Sequence, residues 1–147
     1  MPITSITNKT TSKQFEDKYK NGKVILIYHW NSCGHCLELM PRLKNILDNN
    51  SDLRNNSDIF TIELSYLQLL PNELTNISFF PCIICYNNEK IEEEFKGLRT
   101  DENLISFIKK NSKSTSRPQT YTKSKTSSIK VKKLLKDYNS FYKNLKV

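Results

Sequence analysis

Alanine is missing altogether. Glycine, proline, histidine and tryptophan are scarce, with 3, 5, 2 and 1 residues in a chain of 147. So little Gly and Pro excludes a collagen-like or fibrous class. No apolar run approaches the roughly 18 residues that a membrane span needs. The longest, from Val24 to Ile27 and on to Trp30, is interrupted by His29. The opening stretch, MPITSITNKT, lacks a basic start followed by an apolar segment. No secretory signal is therefore expected, and the expected setting is reducing: cytoplasmic, or a virion if the source is viral. Hydrophobic residues make up only 37%, so a core is expected over part of the chain. The length suits one domain with an appendage.

Acidic residues are outnumbered, 15 Asp and Glu against 23 Lys and Arg, for a net charge of +8. Lys exceeds Arg 19 to 4, and Asn and Ile are abundant. Together with the missing Ala, this favours AT-rich codons and points to an AT-rich genome, such as that of a large DNA virus or a protist. The same bias accounts for the basic charge without any nucleic-acid affinity. No zinc finger, aromatic RNP-type motif or recognition helix accompanies it, so a nucleic-acid partner is not expected.

Residues 24–30 (VILIYHW), bounded by Asn21-Gly22 and Asn31-Ser32, predict a buried strand. Thr11-Ser12 predicts the cap of a preceding helix that carries Phe15 and Tyr19 on one face. After the strand, Leu37, Met40, Leu43 and Leu47 recur at helical spacing with Ile46 beside them, up to Asn49-Asn50. Residues 59–64 and 79–86 predict two more strands. Asn87-Asn88 predicts a hairpin turn into 90–96, and Gly97 a bend. Asp101 predicts the cap of a last helix with Leu104, Ile105 and Ile108 on its apolar face. The expected order is α-β-α-β-(short α)-β-β-α over residues 1–111. Residues 112–128 are almost entirely Ser, Thr, Lys and similar polar types, a linker with too little apolar surface to order itself. In 129–147, Val131, Leu135, Tyr138, Tyr142 and Leu145 recur at steps of four and three, which predicts a basic amphipathic helix.

The four cysteines form two CxxC pairs, Cys33/Cys36 and Cys82/Cys85. Such a double pair first suggests zinc. Cys82 and Cys85, however, lie inside the apolar strand FFPCIICY, where residues three apart point to opposite faces. They cannot bind one metal together, and they read as buried small hydrophobes. No metal or other cofactor is expected. Cys33-Gly34-His35-Cys36 instead begins where a strand ends and a helix starts. Free N–H groups and the positive end of the helix dipole there favour thiolate. Gly34 leaves room for a partner chain to approach Cys33, and a protonated His35 adds positive charge beside it. Cys33 is then the attacking nucleophile, and Cys36, one turn inside, the resolving thiol.

HWNSCGHCLELMP resembles the active site of the thioredoxin superfamily, with the CGHC form of protein disulfide isomerase domains. Pro41 sits where the family has a helix-kinking proline. Phe80-Pro81 resembles its cis-proline segment, which packs against the disulfide, and FKGLRT (95–100) with the helix after it resembles the family's end. The resemblance covers about residues 8–111. It implies a single thioredoxin-like α/β domain, a central mixed sheet with helices on both faces. It also implies thiol–disulfide exchange, with Cys33, Gly34, His35, Cys36 and Pro81 at the site. The His in CGHC favours the reduced thiolate and thus a more oxidising couple than a thioredoxin's.

Departures from the family are equally plain. Ile27 stands where the family has a buried Asp or Glu, Ser32 where it often has Trp, Leu37 where Lys is common, and Cys82 where Thr or a similar residue follows the cis-proline. Cys82 is thus a candidate third thiol, though its apolar strand should raise its pKa. His29 and Glu63 are candidate stand-ins for the lost acid. The expected partners are protein or peptide substrates with thiols or disulfides, plus an electron donor or acceptor. The alternative is a catalytically weak thioredoxin-fold binding or scaffold protein.

Overall fold

A computed structural model describes residues 3–112. The elements are β1 (Ile3–Ser5), α1 (Lys9–Asn21), β2 (Lys23–His29), α2 (Gly34–Asp48), α3 (Ser51–Asn55), β3 (Ile59–Glu63), β4 (Cys82–Asn87), β5 (Lys90–Glu94) and α4 (Asp101–Lys110). Two short 3-10 turns, Leu64–Leu69 and Asn72–Leu74, join β3 to β4.

The five strands form one mixed sheet in the order β1-β3-β2-β4-β5. β1 and β2 run parallel to β3, while β4 runs antiparallel to both β2 and β5. β2 is central and covered on both faces, which is why it reads as a continuous apolar run and not as an alternation. Its residues divide by parity. Val24, Leu26 and Tyr28 join Cys82, Ile84 and Tyr86 against Phe15 and Tyr19 of α1. Ile25 and Ile27 join Ile83 and Cys85 against Leu39, Leu43 and Leu47 of α2 and Leu104, Phe107 and Ile108 of α4. The expected mixed sheet with helices on both faces is therefore the observed fold.

The differences from expectation are local and have local causes. β1 is only three residues long, too short to show a period, and exists through its pairing with β3. α1 is capped by Asn8, not Thr11-Ser12: Asn8 Oδ1 accepts the Thr11 N–H at 2.9 Å, and Thr11 Oγ1 accepts the Asn8 N–H at 3.2 Å. That reciprocal arrangement satisfies two otherwise orphaned donors. Ser12 instead donates to the Leu69 carbonyl at 2.6 Å. On α2 the buried stripe is Cys36, Leu39, Leu43, Ile46 and Leu47. Leu37 is 61% exposed, because turning Cys36 inward turns its neighbour outward by about 100°. α4 is capped by Thr100, whose Oγ1 accepts the Asn103 N–H at 3.1 Å. This leaves Asp101 and Glu102 in the first turn, where the helix dipole favours them, and it buries Phe107 while Ile105 is half-buried.

The hairpin turn falls at Asn88-Glu89, both with positive φ, 52° and 71°. Glu89 is a poor residue for that region. It is held there by its N–H to the Tyr19 carbonyl at 2.9 Å, while Asn88 N–H meets the Gly22 carbonyl at 3.0 Å. β4 begins at Cys82, after the cis Phe80–Pro81 bond, and not at 79. Gly97 makes the expected bend, at φ +102°.

The packed chain continues past α4. Asn111 Nδ2 donates to the Phe107 carbonyl at 2.9 Å and to Glu93 Oε1 at 3.1 Å, and the Ser112 hydroxyl donates to the Lys109 carbonyl at 3.0 Å. A chain ending at Lys110 should therefore be less stable than one ending at Lys113, by about 1–2 kcal/mol for the lost buried hydrogen bonds. Parallel urea titrations of the two truncations check this, and equal midpoints would contradict it. The rest of the expected linker and the 129–147 helix lie outside the described residues. Among the described residues no helix is long and apolar enough to cross a membrane.

Candidate active site around Cys33 and Cys36

The strand-to-helix step after β2 builds the site. The Cys33 N–H donates to the Trp30 carbonyl at 3.0 Å, closing a tight turn, and the Cys33 carbonyl accepts the N–H groups of Cys36 and Leu37, both at 3.1 Å. Cys33 is thereby the N-cap of α2, with its sulfur accepting the Cys36 N–H at 3.3 Å. A thiol used as a cap faces the unpaired N–H groups of the first helical turn. Its S–H reaches the carbonyl of Phe80 at 3.5 Å. The cis Phe80–Pro81 segment thus lies beside the Cys33 sulfur.

All four cysteines are free thiols, and the two in the helix differ in exposure. Cys33 is half-buried, while Cys36 is 1% exposed. Their ionisation diverges accordingly. Desolvation pushes the Cys33 thiol up, but hydrogen bonds from the Cys36 thiol and from the Cys36 and His35 N–H groups, with the Arg99 guanidinium, hold it below its ordinary 9.0. Burial and then the Cys33 thiol push Cys36 up to about 11, against smaller opposing pulls from the Trp30 N–H and Arg99. Within one helical turn, the two thiols are shifted in opposite directions.

His35 is exposed, and it acts on Cys33 through its backbone N–H. Among the described residues, a Cβ at Gly34 would meet nothing within 4 Å. Arg99 is the site residue that the sequence reading missed. It lies between the Gly97 bend and α4, and the Arg42 guanidinium of α2 donates to its carbonyl. Arg42 also pairs with Asp101 at 3.5 Å. The sole sequence signal for Arg99 was its place in FKGLRT.

Ile27 is 1% exposed, on the face of the sheet that α2 covers, so the buried carboxylate position is apolar. The two candidate stand-ins, Glu63 and His29, sit opposite each other on β3 and β2. Glu63 ties down the loop ahead of the site: Oε2 accepts the Asn31 N–H at 3.0 Å and Oε1 the Ser65 N–H at 2.8 Å. These bonds, with His29 opposite, hold its carboxyl below the usual range. His29 is its register partner on β2, and burial lowers its pKa against the pull of Glu63. The groups that set the ionisation of Cys36 are Cys33, Trp30 and Arg99.

Cys82 and Cys85 fall on opposite faces of β4, in the two separate core clusters. Cys82 is 4% exposed, and burial together with Glu94, 3.8 Å away, pushes its thiol up to about 12. Burial likewise pushes Cys85 up to about 11. Both behave as core residues.

A model of the thioredoxin family matches residues 6–110. Among curated proteins, "Uncharacterized protein 196R" of Invertebrate iridescent virus 6 is 25% identical over 97 residues, covering 66% of this chain and 56% of that one. A protein disulfide-isomerase of Ricinus communis is 26% identical over 117 residues, covering 75% of this chain and 23% of that one. The chain thus spans about half, or a quarter, of the length of these relatives. Among solved structures, the J-Trx1 fragment of ERdj5 superposes with a TM-score of 0.59 at 14% identity, covering 74% of this chain and 51% of that one. The oxidised thioredoxin of Plasmodium falciparum gives 0.54 at 18% identity, covering 74% and 96%.

Proposed function

The chain belongs to the thioredoxin family, and from that premise we propose that it is a thiol–disulfide oxidoreductase acting on protein or peptide disulfides. The observation that carries this reading is the split within one helical turn. Cys33 caps α2 with its thiol lowered, and Cys36 is buried with its thiol raised to about 11.

The exchange balances as follows. The Cys33 thiolate attacks one sulfur of a substrate disulfide, forming a mixed disulfide and expelling one substrate thiolate. The Cys36 thiol loses its proton and attacks the Cys33 sulfur. The Cys33–Cys36 disulfide forms, and the second substrate thiolate leaves. The substrate gains two electrons and the chain loses them. In reverse, the oxidised pair passes its disulfide to a substrate dithiol. Arg99 stabilises whichever of the two sulfurs is anionic, so it serves both halves. A thiol donor or a disulfide acceptor completes the cycle in each direction.

The apolar Ile27 is the one observation that favours the other reading, a binding protein with weak catalysis. Trapping separates the two. Cys36→Ser should accumulate reducible adducts with substrate proteins, because nothing resolves the mixed disulfide, and Cys33→Ser should trap none. Equal trapping by both variants, or adducts through Cys82, would overturn the assignment of roles. No adducts with either variant would leave the binding protein.

A further inference from the structure

Beside the reactive sulfur runs a groove of about 380 Å³ that the exchange chemistry does not itself use. Phe79, Pro81 and Phe95 give it apolar walls, and Glu94, Lys96 and Arg99 give it charge. It starts at the Phe80–Pro81 segment, whose carbonyl meets Cys33 Sγ at 3.5 Å. A polypeptide with its cysteine at Cys33 therefore has its flanking residues at this groove. Phe79 is 57% exposed, an apolar surface placed where such a flank passes.

The charges are not balanced. Glu94 is half-buried, and its carboxylate receives the Cys82 S–H at 3.8 Å. Among the described residues, neither Lys96 nor Arg99 has a carboxylate within ion-pair distance. The five ion pairs there use Lys18, Lys23, Arg42, Lys44 and Lys110 as cations. Asp101, the acid nearest Arg99 in sequence, is engaged by Arg42 at 3.5 Å. Two cations and one carboxylate thus line the groove, an excess of one positive charge, and neither cation is held in an ion pair among the described residues.

Resting on the function proposed above, we infer that this groove selects acidic substrates: peptide segments in which the reacting cysteine is flanked by an apolar residue and an Asp or Glu. The apolar residue packs on Phe79 and Pro81, and the carboxylate meets Lys96 and Arg99. The effect of exposed charges at such a contact is modest and screened by salt, and it appears mainly in the rate of encounter.

The test uses the full chain, reduced, with three disulfide-bearing peptides that share an apolar flank and differ by one residue beside it: Glu, Gln or Lys. Mixed-disulfide formation is followed by quenching and mass analysis. At low ionic strength the Glu peptide should be captured about fivefold faster than the Gln peptide, and the Lys peptide more slowly than either. The Glu/Gln ratio should approach one near 1 M salt, where screening acts over about 3 Å. Lys96→Glu should bring the ratio below one. Because the ratio is taken within each variant, a general loss of rate cancels. Equal capture of all three peptides, or a Lys96→Glu ratio matching the unaltered chain, overturns the inference and leaves the exchange reading standing. Failure to capture any of the peptides overturns both.

Discussion

Raising the pH from about 7 to 9 should accelerate the release of substrate far more than its capture. Capture depends on the Cys33 thiolate. The hydrogen bonds from Cys36 and His35 and the charge of Arg99 hold that thiol below 9.0, so its ionised fraction levels off at a lower pH than that of an ordinary cysteine. Release depends on Cys36, whose thiol is pushed up to about 11. At pH 7 only about one molecule in ten thousand then carries that thiolate, and the fraction rises tenfold with each pH unit. In the mixed disulfide the contribution of Cys33 is gone, but burial is the larger cause and remains. Release should therefore still be climbing about tenfold per pH unit at pH 9, after capture has begun to level off. The sign follows from the direction of each shift: a lowered thiol reacts at lower pH than a free cysteine, and a raised one at higher pH. Stopped-flow turnover of a peptide disulfide, with both steps resolved at each pH, measures this. Two profiles that rise in parallel would show that Cys36 is not the ionising group in release.

That asymmetry was legible in part before any coordinates. The strand VILIYHW, the change to helical spacing after Cys36 and the sequence CGHC place a thiol at a helix start, and the polarity of the helix does the rest. The sheet was legible for the same reason: runs such as 24–28 and 82–86 are apolar at every position, and only strands covered on both faces tolerate that. What escaped was of three kinds. Caps and turns moved by a residue or more, because Asn8, Thr11, Ser12, Thr100 and Asp101 are all competent caps and tertiary contacts choose among them. β1 escaped because three residues carry no period. Arg99 escaped because its role comes from proximity across a loop, set by the contact of Arg42 with its backbone, and nothing local marks it. Ile27 shows the reverse case. Its identity was plain in the sequence, and the structure adds that it is only 1% exposed, on the face of the sheet that α2 covers.

Ile27→Glu should speed release by about 10²-fold near neutral pH, within the usual contribution of a positioned acid or base. The side chain at 27 lies on the α2 face of the sheet among Ile25, Ile83 and Leu39. Its register neighbour on β3, Thr61, is engaged with Ser5 at 3.3 Å. A carboxyl introduced there has few polar partners, so burial should raise its pKa toward neutrality, where it is both partly ionised and able to accept a proton from Cys36. The same lack of partners should cost about 1–3 kcal/mol of stability. Ile27→Gln is the control. It introduces a polar group of the same shape that does not titrate, so it should lose stability similarly and leave release unchanged. The Glu variant should also flatten the pH dependence of release, since the proton then has a local acceptor below the pKa of Cys36. If both variants leave release as it was, proton transfer from Cys36 is not the limiting step. If both speed it equally, the gain comes from loosened packing around Cys36 and not from a carboxylate.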